Sequence, residues 1–81
     1  MDKSQFNIDL GAFVKDKRKE LKLSQSDLAA KVGNNAQNIS RLERGEVSPT
    51  LFWFFKLAEA FEQDPNSLIL ELEKRISKKK K

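Results

Sequence analysis

Residues 24–45, SQSDLAAKVGNNAQNISRLERG, decide the fold. They read as two short helices joined by a tight turn. Ser24 is a good N-cap, and Asp27 three residues on completes a capping-box variant. Leu28 and Val32 share one face at i, i+4, and the small Ala29 lets another helix approach closely. Gly33 closes the first helix in the left-handed conformation that glycine adopts at little cost. Asn35 caps the second helix, which runs to about Arg44, with Gly45 as its C-terminal signal.

The orientation of the second helix follows from its phase, at about 100° per residue. Ile39 and Leu42 must be buried, which turns Gln37 and Arg44 outward with Arg41 and Ser40 on either side. Ala36 lies on the flank near the N-terminus, and Glu43 points toward the buried side. Alone, such a set is a solvated polar face. After a short helix and a glycine turn it suits the major groove of a duplex. Glutamine can pair bidentately with adenine, arginine can fork onto guanine, and Ala36 leaves room for a thymine methyl. Asn34, Asn35 and Asn38 at the helix start can meet phosphate, and Arg44 reaches phosphate more readily than bases.

The rest of the chain adds three helices and no strand. One covers about residues 8–21, with Leu10, Phe13, Val14 and Leu21 as its apolar stripe and Gly11 as a minor cost. A fourth, capped by Thr50, covers about 51–62, with Leu51, Phe54, Phe55, Ala58 and Phe61 as its buried row. The fifth opens at Asp64 and Pro65, carries Leu68, Ile69, Leu72 and Ile76 on one side, and offers Glu71 and Arg75 as an i, i+4 pair. The expected organisation is a flexible N-terminus over residues 1–7, one all-α five-helix domain over 8–77, and a basic tail over 78–81. Eighty-one residues suffice for one small domain with a thin core, burying about 60% of the unfolded surface.

The net charge of +4 hides a polarity. Lys78, Lys79, Lys80 and Lys81 account for all of it. Residues 1–50 hold nine basic and seven acidic groups, whereas 51–77 hold three and five. A nucleic-acid surface therefore belongs in the first half or the tail. The tail is a solubilising end or a source of non-specific phosphate attraction; an anionic membrane surface is a third option, weakened by the lack of a strong amphipathic anchor beside the four lysines.

The chain has no cysteine and no histidine. That excludes disulfides, the common zinc ligand sets and His-based catalytic triads. No metal, cofactor, small-molecule ligand or enzymatic activity is expected. No apolar run approaches the ~20 residues of a membrane span, so no membrane partner is expected and the cytoplasm is the default location.

The pattern Gln25, Leu28, Ala29, Val32, Gly33, Ile39, Leu42, Glu43 and Gly45, followed by KLAEAF at residues 56–61, resembles the helix-turn-helix family of the phage repressors and Cro, the XRE type. The resemblance spans roughly residues 10–70. It implies a lambda-repressor-like domain whose helix-turn-helix is formed by helices 2 and 3. It further implies that Gln25 braces helix 2 on phosphate, that Ala36, Gln37 and Arg41 read bases, and that Arg18 pairs with Glu43. Three positions depart from the family pattern. Asn34 stands at a usually apolar turn position, Lys22 replaces a common glycine and is expected to reshape its turn, and Phe52 and Trp53 stand where polar residues are usual.

Phe52 should be exposed. With Trp53 and Leu70 it forms either a homodimer interface or a patch covered by helix 5 or Phe6. The expected function is a sequence-specific DNA-binding transcriptional regulator, a repressor acting as a homodimer on a palindromic operator. The alternative is an antitoxin or another protein-interaction module, with a toxin as partner and DNA binding secondary.

Overall fold

The computed structural model describes residues 1–79, with side chains through Lys78. Five helices follow one another: α1 Lys3–Glu20, α2 Gln25–Val32, α3 Ala36–Glu43, α4 Leu51–Ala60 and α5 Pro65–Lys79. The expected all-α architecture is what forms. No helix among the described residues is long and apolar enough to cross a membrane.

Each helix contributes to one core. Leu10 and Val14 of α1, Leu28 of α2, Ile39 and Leu42 of α3, Leu57 of α4 and Leu68 of α5 are all essentially sealed from solvent. α3 packs against both α1 and α2. α4 lies against α2, and α5 closes the bundle against α1 and α4. The recognition-type helix is thus gripped on one side and open on the other.

Caps set the boundaries. The Ser24 hydroxyl accepts from the Asp27 N–H while the Asp27 carboxylate accepts from the Ser24 N–H, a full capping box. Those bonds hold the Asp27 carboxyl below the usual carboxylate range. Asn35 caps α3 and Thr50 caps α4. The first four helices end in one hydrogen-bond signature, the Schellman motif, with a left-handed residue at Lys22, Gly33, Gly45 and Glu62. Lys22 therefore keeps the turn geometry glycine would adopt (φ 58°) instead of reshaping it.

Several expectations need correction. α1 starts at Lys3, so residues 3–7 are helical, not a loose N-terminus. Asp2 supplies the cap by accepting from the Gln5 N–H, Phe6 packs on the core, and buried Asn7 accepts from the Ser48 hydroxyl. At the other end, Lys78 and Lys79 belong to α5, and the rest of the expected basic tail lies outside the described residues. Leu21, placed on the core stripe by periodicity, caps α1 and is exposed.

In α4, Leu51 and Phe55 are exposed, while Leu57 and Ala60 are buried with Phe54, Ala58 and Phe61. LFWFFKLA is apolar almost all round, so periodicity cannot choose its inner face; packing against α2 and α5 does. Ile69 of α5 is likewise exposed. Glu71 and Arg75 do not pair with each other. Because α5 docks on α1, Glu71 meets Lys17 and Arg75 donates to Asp16 at 2.8 Å.

Candidate nucleic-acid interface

α3 is held firmly at its C-terminal end. Arg18 of α1 donates through Nε to Glu43 Oε2 at 2.7 Å and through Nη2 to Oε1 at 3.1 Å. Its Nη1 donates to the Leu23 carbonyl at 2.9 Å. The implied Arg18–Glu43 pair is therefore present and bidentate, with side chains only 10% and 3% exposed. The hydrogen bonds to Glu43, more than its charge, raise the Arg18 pKa above its ordinary value. One guanidinium joins α1, the α1–α2 turn and α3.

Two glycines make this approach possible. A Cβ on Gly11 would lie 2.4 Å from the Leu42 carbonyl oxygen and 2.7 Å from that of Glu43. Gly11 is the point where α1 crosses the last turn of α3, far more than the minor helical cost expected of it. Gly45 turns the chain at φ 76°, and a Cβ there would press on Ile8 Cα at 2.9 Å. Beyond it, Ser48 bonds Asn7. α1 thus fixes the end of α3 at three successive places.

The opposite face of α3 is open. Gln37 and Arg41 are exposed, Ala36 and Ser40 are half-buried, and Ile39 and Leu42 are fully sealed. The phase read from the sequence is the phase observed, including Glu43 turned inward. At the helix start, Asn35 Oδ1 accepts from the Asn38 N–H at 2.8 Å. Asn34 Oδ1 accepts from the Asn35 N–H and from Asn38 Nδ2, at 2.8 and 2.7 Å. These oxygens are committed inside the turn, which leaves the donor ends of Asn34 and Asn35 as the groups suited to an anion. Gln25 begins α2 and donates through Nε2 to Glu43 Oε1 at 3.0 Å. A primary amide nitrogen carries a second hydrogen, so this bond is compatible with the phosphate contact expected of Gln25.

Glu46 was not anticipated. The Gly45 turn brings its N–H to the Arg41 carbonyl, and its carboxylate then faces both arginines. Arg44 donates to it through Nε at 2.7 Å and through Nη2 at 3.3 Å. Arg41 Nε stands 3.7 Å away. Arg44 also donates to Ser40 Oγ. The bond from Arg44, then the charges of Arg44 and Arg41, hold the Glu46 carboxyl below the usual carboxylate range. The signal was available: an acid two residues past Arg44, across a glycine turn.

The three residues expected to form a partner surface are not equivalent. Phe52 is 76% exposed and Leu70 58%. Trp53 is half-buried against the core, and its Nε1 is buried without a hydrogen-bond partner. Phe6 does not cover Phe52. It lines an apolar groove with Met1, Leu51, Phe54, Ile69 and Ile76. Leu70 borders a different groove, beside Phe13 and Lys17.

Known proteins are similar to this chain in sequence and fold. An uncharacterized HTH-type transcriptional regulator of Methanothermobacter thermautotrophicus is 43% identical over 47 residues, covering 58% of this chain and 68% of the relative. The restriction-modification controller protein C.AhdI from Aeromonas hydrophila superposes with a TM-score of 0.78 at 28% identity, over 84% of this chain and 99% of its own. An HTH_3 family transcriptional regulator from Vibrio cholerae gives 0.77 at 26% identity, over 86% of this chain but only 39% of the larger protein. The clp gene regulator ClgR from Corynebacterium glutamicum shares the fold, at 0.82 and 18% identity over 91% and 79% of the two chains. The HTH_3 helix-turn-helix family model matches residues 14–68, which takes in α2, the turn, α3, α4 and the Arg18–Glu43 clamp. The chain belongs to the HTH_3 helix-turn-helix family.

Proposed function

We propose that this chain is a cytoplasmic, sequence-specific DNA-binding transcriptional regulator that represses from a palindromic operator as a homodimer. The observation that carries the reading is the rigid presentation of one polar face of α3: Gln37 and Arg41 stand exposed on a helix whose far end is clamped by Arg18 and two glycine contacts. In this reading Ala36, Gln37, Ser40 and Arg41 meet base edges. Gln25, Asn34, Asn35, Asn38 and Arg44 meet phosphate. The names of its relatives, a transcriptional regulator and a restriction-modification controller, agree with that role.

The homodimer rests on exposed apolar groups of α4 and α5. Leu51, Phe52 and Phe55 are exposed within one turn of α4, and Ile69 lines the same groove as Leu51, an apolar surface large enough to call for a partner; Leu70 borders the other groove. The homodimer reading requires a second copy to set two α3 helices about 34 Å apart, one turn of duplex. The same exposed groups favour the second reading, an antitoxin whose main partner is another protein.

Selection of bound duplexes from a random pool tests these readings together. A symmetric consensus with half-sites about ten base pairs apart is expected. Retained DNA without a consensus would overturn sequence-specific reading. A single, unpaired half-site would overturn the homodimer. A pool that yields no bound DNA would leave the protein-partner reading standing.

A further inference from the structure

The recognition face carries one acidic side chain, and that side chain is engaged with two of the cations expected to meet DNA. Glu46 receives two bonds from Arg44, sits 3.7 Å from Arg41, and orders Arg44 so that its remaining nitrogen donates to Ser40. All three partners belong to the face assigned to DNA. Neither arginine reaches its position from another helix: the carboxylate is brought to them by the Gly45 turn.

We infer that Glu46 sets the affinity of this face: it is an internal competitor for Arg44 and Arg41 that a duplex must displace before either arginine can reach it. The inference rests on the DNA-binding reading above and assigns a role to a residue outside its contact set.

The competition is modest and applies to every duplex. Exposed ion pairs are weak and screened by salt, so Glu46 cannot prevent binding. Non-specific binding, however, consists almost entirely of such phosphate contacts. An internal carboxylate that engages two guanidinium groups therefore lowers the affinity for arbitrary DNA. A correct site supplies bidentate base contacts in addition, and these shift the exchange toward DNA. The ion pairs are lost from the free protein whichever duplex displaces them, so the carboxylate costs affinity everywhere, and no less on the correct site, where both arginines leave it. Glu46, like any carboxylate, is charged throughout the neutral pH range, and the bond from Arg44 with the charges of Arg44 and Arg41 lowers its pKa further.

The test is Glu46→Gln, which keeps the size of the side chain and removes its charge. Affinity for a random-sequence duplex and for the consensus duplex is measured by fluorescence anisotropy across a salt series. Random DNA should be bound about three- to tenfold more tightly at ~0.1 M salt. The slope of log K against log salt should steepen by roughly 0.9 for each phosphate newly neutralised. The gain on the consensus should be at least as large, because both arginines leave Glu46 there; a consensus gain well below the random one would overturn the competition. In an Arg44→Ala background, Glu46→Gln should give less than half of the gain on random DNA. A gain that persists there in full would mean that Glu46 merely repels phosphate, and would overturn the clamp. Unchanged affinity and slope, with DNA still bound, would overturn the clamp alone. A wild-type chain that binds no duplex at all would remove the DNA-binding reading and the clamp with it.

Discussion

The two ends of α3 are built by opposite means. The C-terminal end is pinned by residues distant in sequence: Gly11 beneath the Leu42 and Glu43 carbonyls, Arg18 on Glu43, Ile8 against Gly45. The N-terminal end is organised by its own neighbours, with Asn34, Asn35 and Asn38 bonded to one another. The first end determines where the helix lies; the second, with Gln37 and Arg41, determines what it can touch. On the proposed function, stability and reading fall to different parts of an eight-residue helix, and changing one part is expected to leave the other largely intact.

The largest effect should come from removing the clamp. Arg18→Ala strands Glu43, a carboxylate almost sealed from solvent. Breaking a buried pair from one side costs about 3–5 kcal/mol. Gln25 still donates to Glu43, so about 3 kcal/mol is expected in a urea titration. A loss below ~1 kcal/mol would show that the pair is screened as surface pairs are, and the two ends of α3 would then be less different than described.

Gly11→Ala discriminates next, because two effects oppose each other. Helix propensity alone predicts a gain of about 0.5–1 kcal/mol. The added methyl would press on two backbone carbonyls that cannot turn away, and overpacking costs about 1–3 kcal/mol. Net destabilisation by thermal melting is expected. A variant that melts higher than wild type would break the argument that α1 seats the end of α3.

The smallest effect on stability belongs to the reading end. Gln37→Ala should change unfolding free energy by no more than ~0.5 kcal/mol. Binding is where it should register, as roughly 1–3 kcal/mol less discrimination at one base pair. Equal weakening on random DNA would place Gln37 on phosphate and erase the proposed division of labour.

The sequence displayed the helix-turn-helix almost completely. Ser24 and Asp27, Gly33, Asn35, Ile39 and Leu42 are local signals, and each formed the cap, turn or buried contact its chemistry favours. What escaped reading depends on approach between distant segments. Gly11 looks like a weak helical residue until α3 lies across it. Leu51 and Leu57 cannot be sorted within an apolar run, since the choice belongs to α2 and α5. Lys17 and Asp16 draw Glu71 and Arg75 away from each other for the same reason. Glu46 is hidden for another reason: its carboxylate meets Arg41 and Arg44 only once the Gly45 turn folds it back on α3.

The clamp also governs the order in which the molecule can become competent. α2 and α3 are chain neighbours, joined by a short turn, whereas Arg18 and Glu43 are 25 residues apart and Asn7 and Ser48 are 41. Closing those longer loops carries the greater entropic cost. A chain whose α1 has not docked holds a helical hairpin without the direction that aims it. If α1 opens, α3 loses the contacts that aim it, and apparent affinity scales with the fraction of molecules in which α1 is closed.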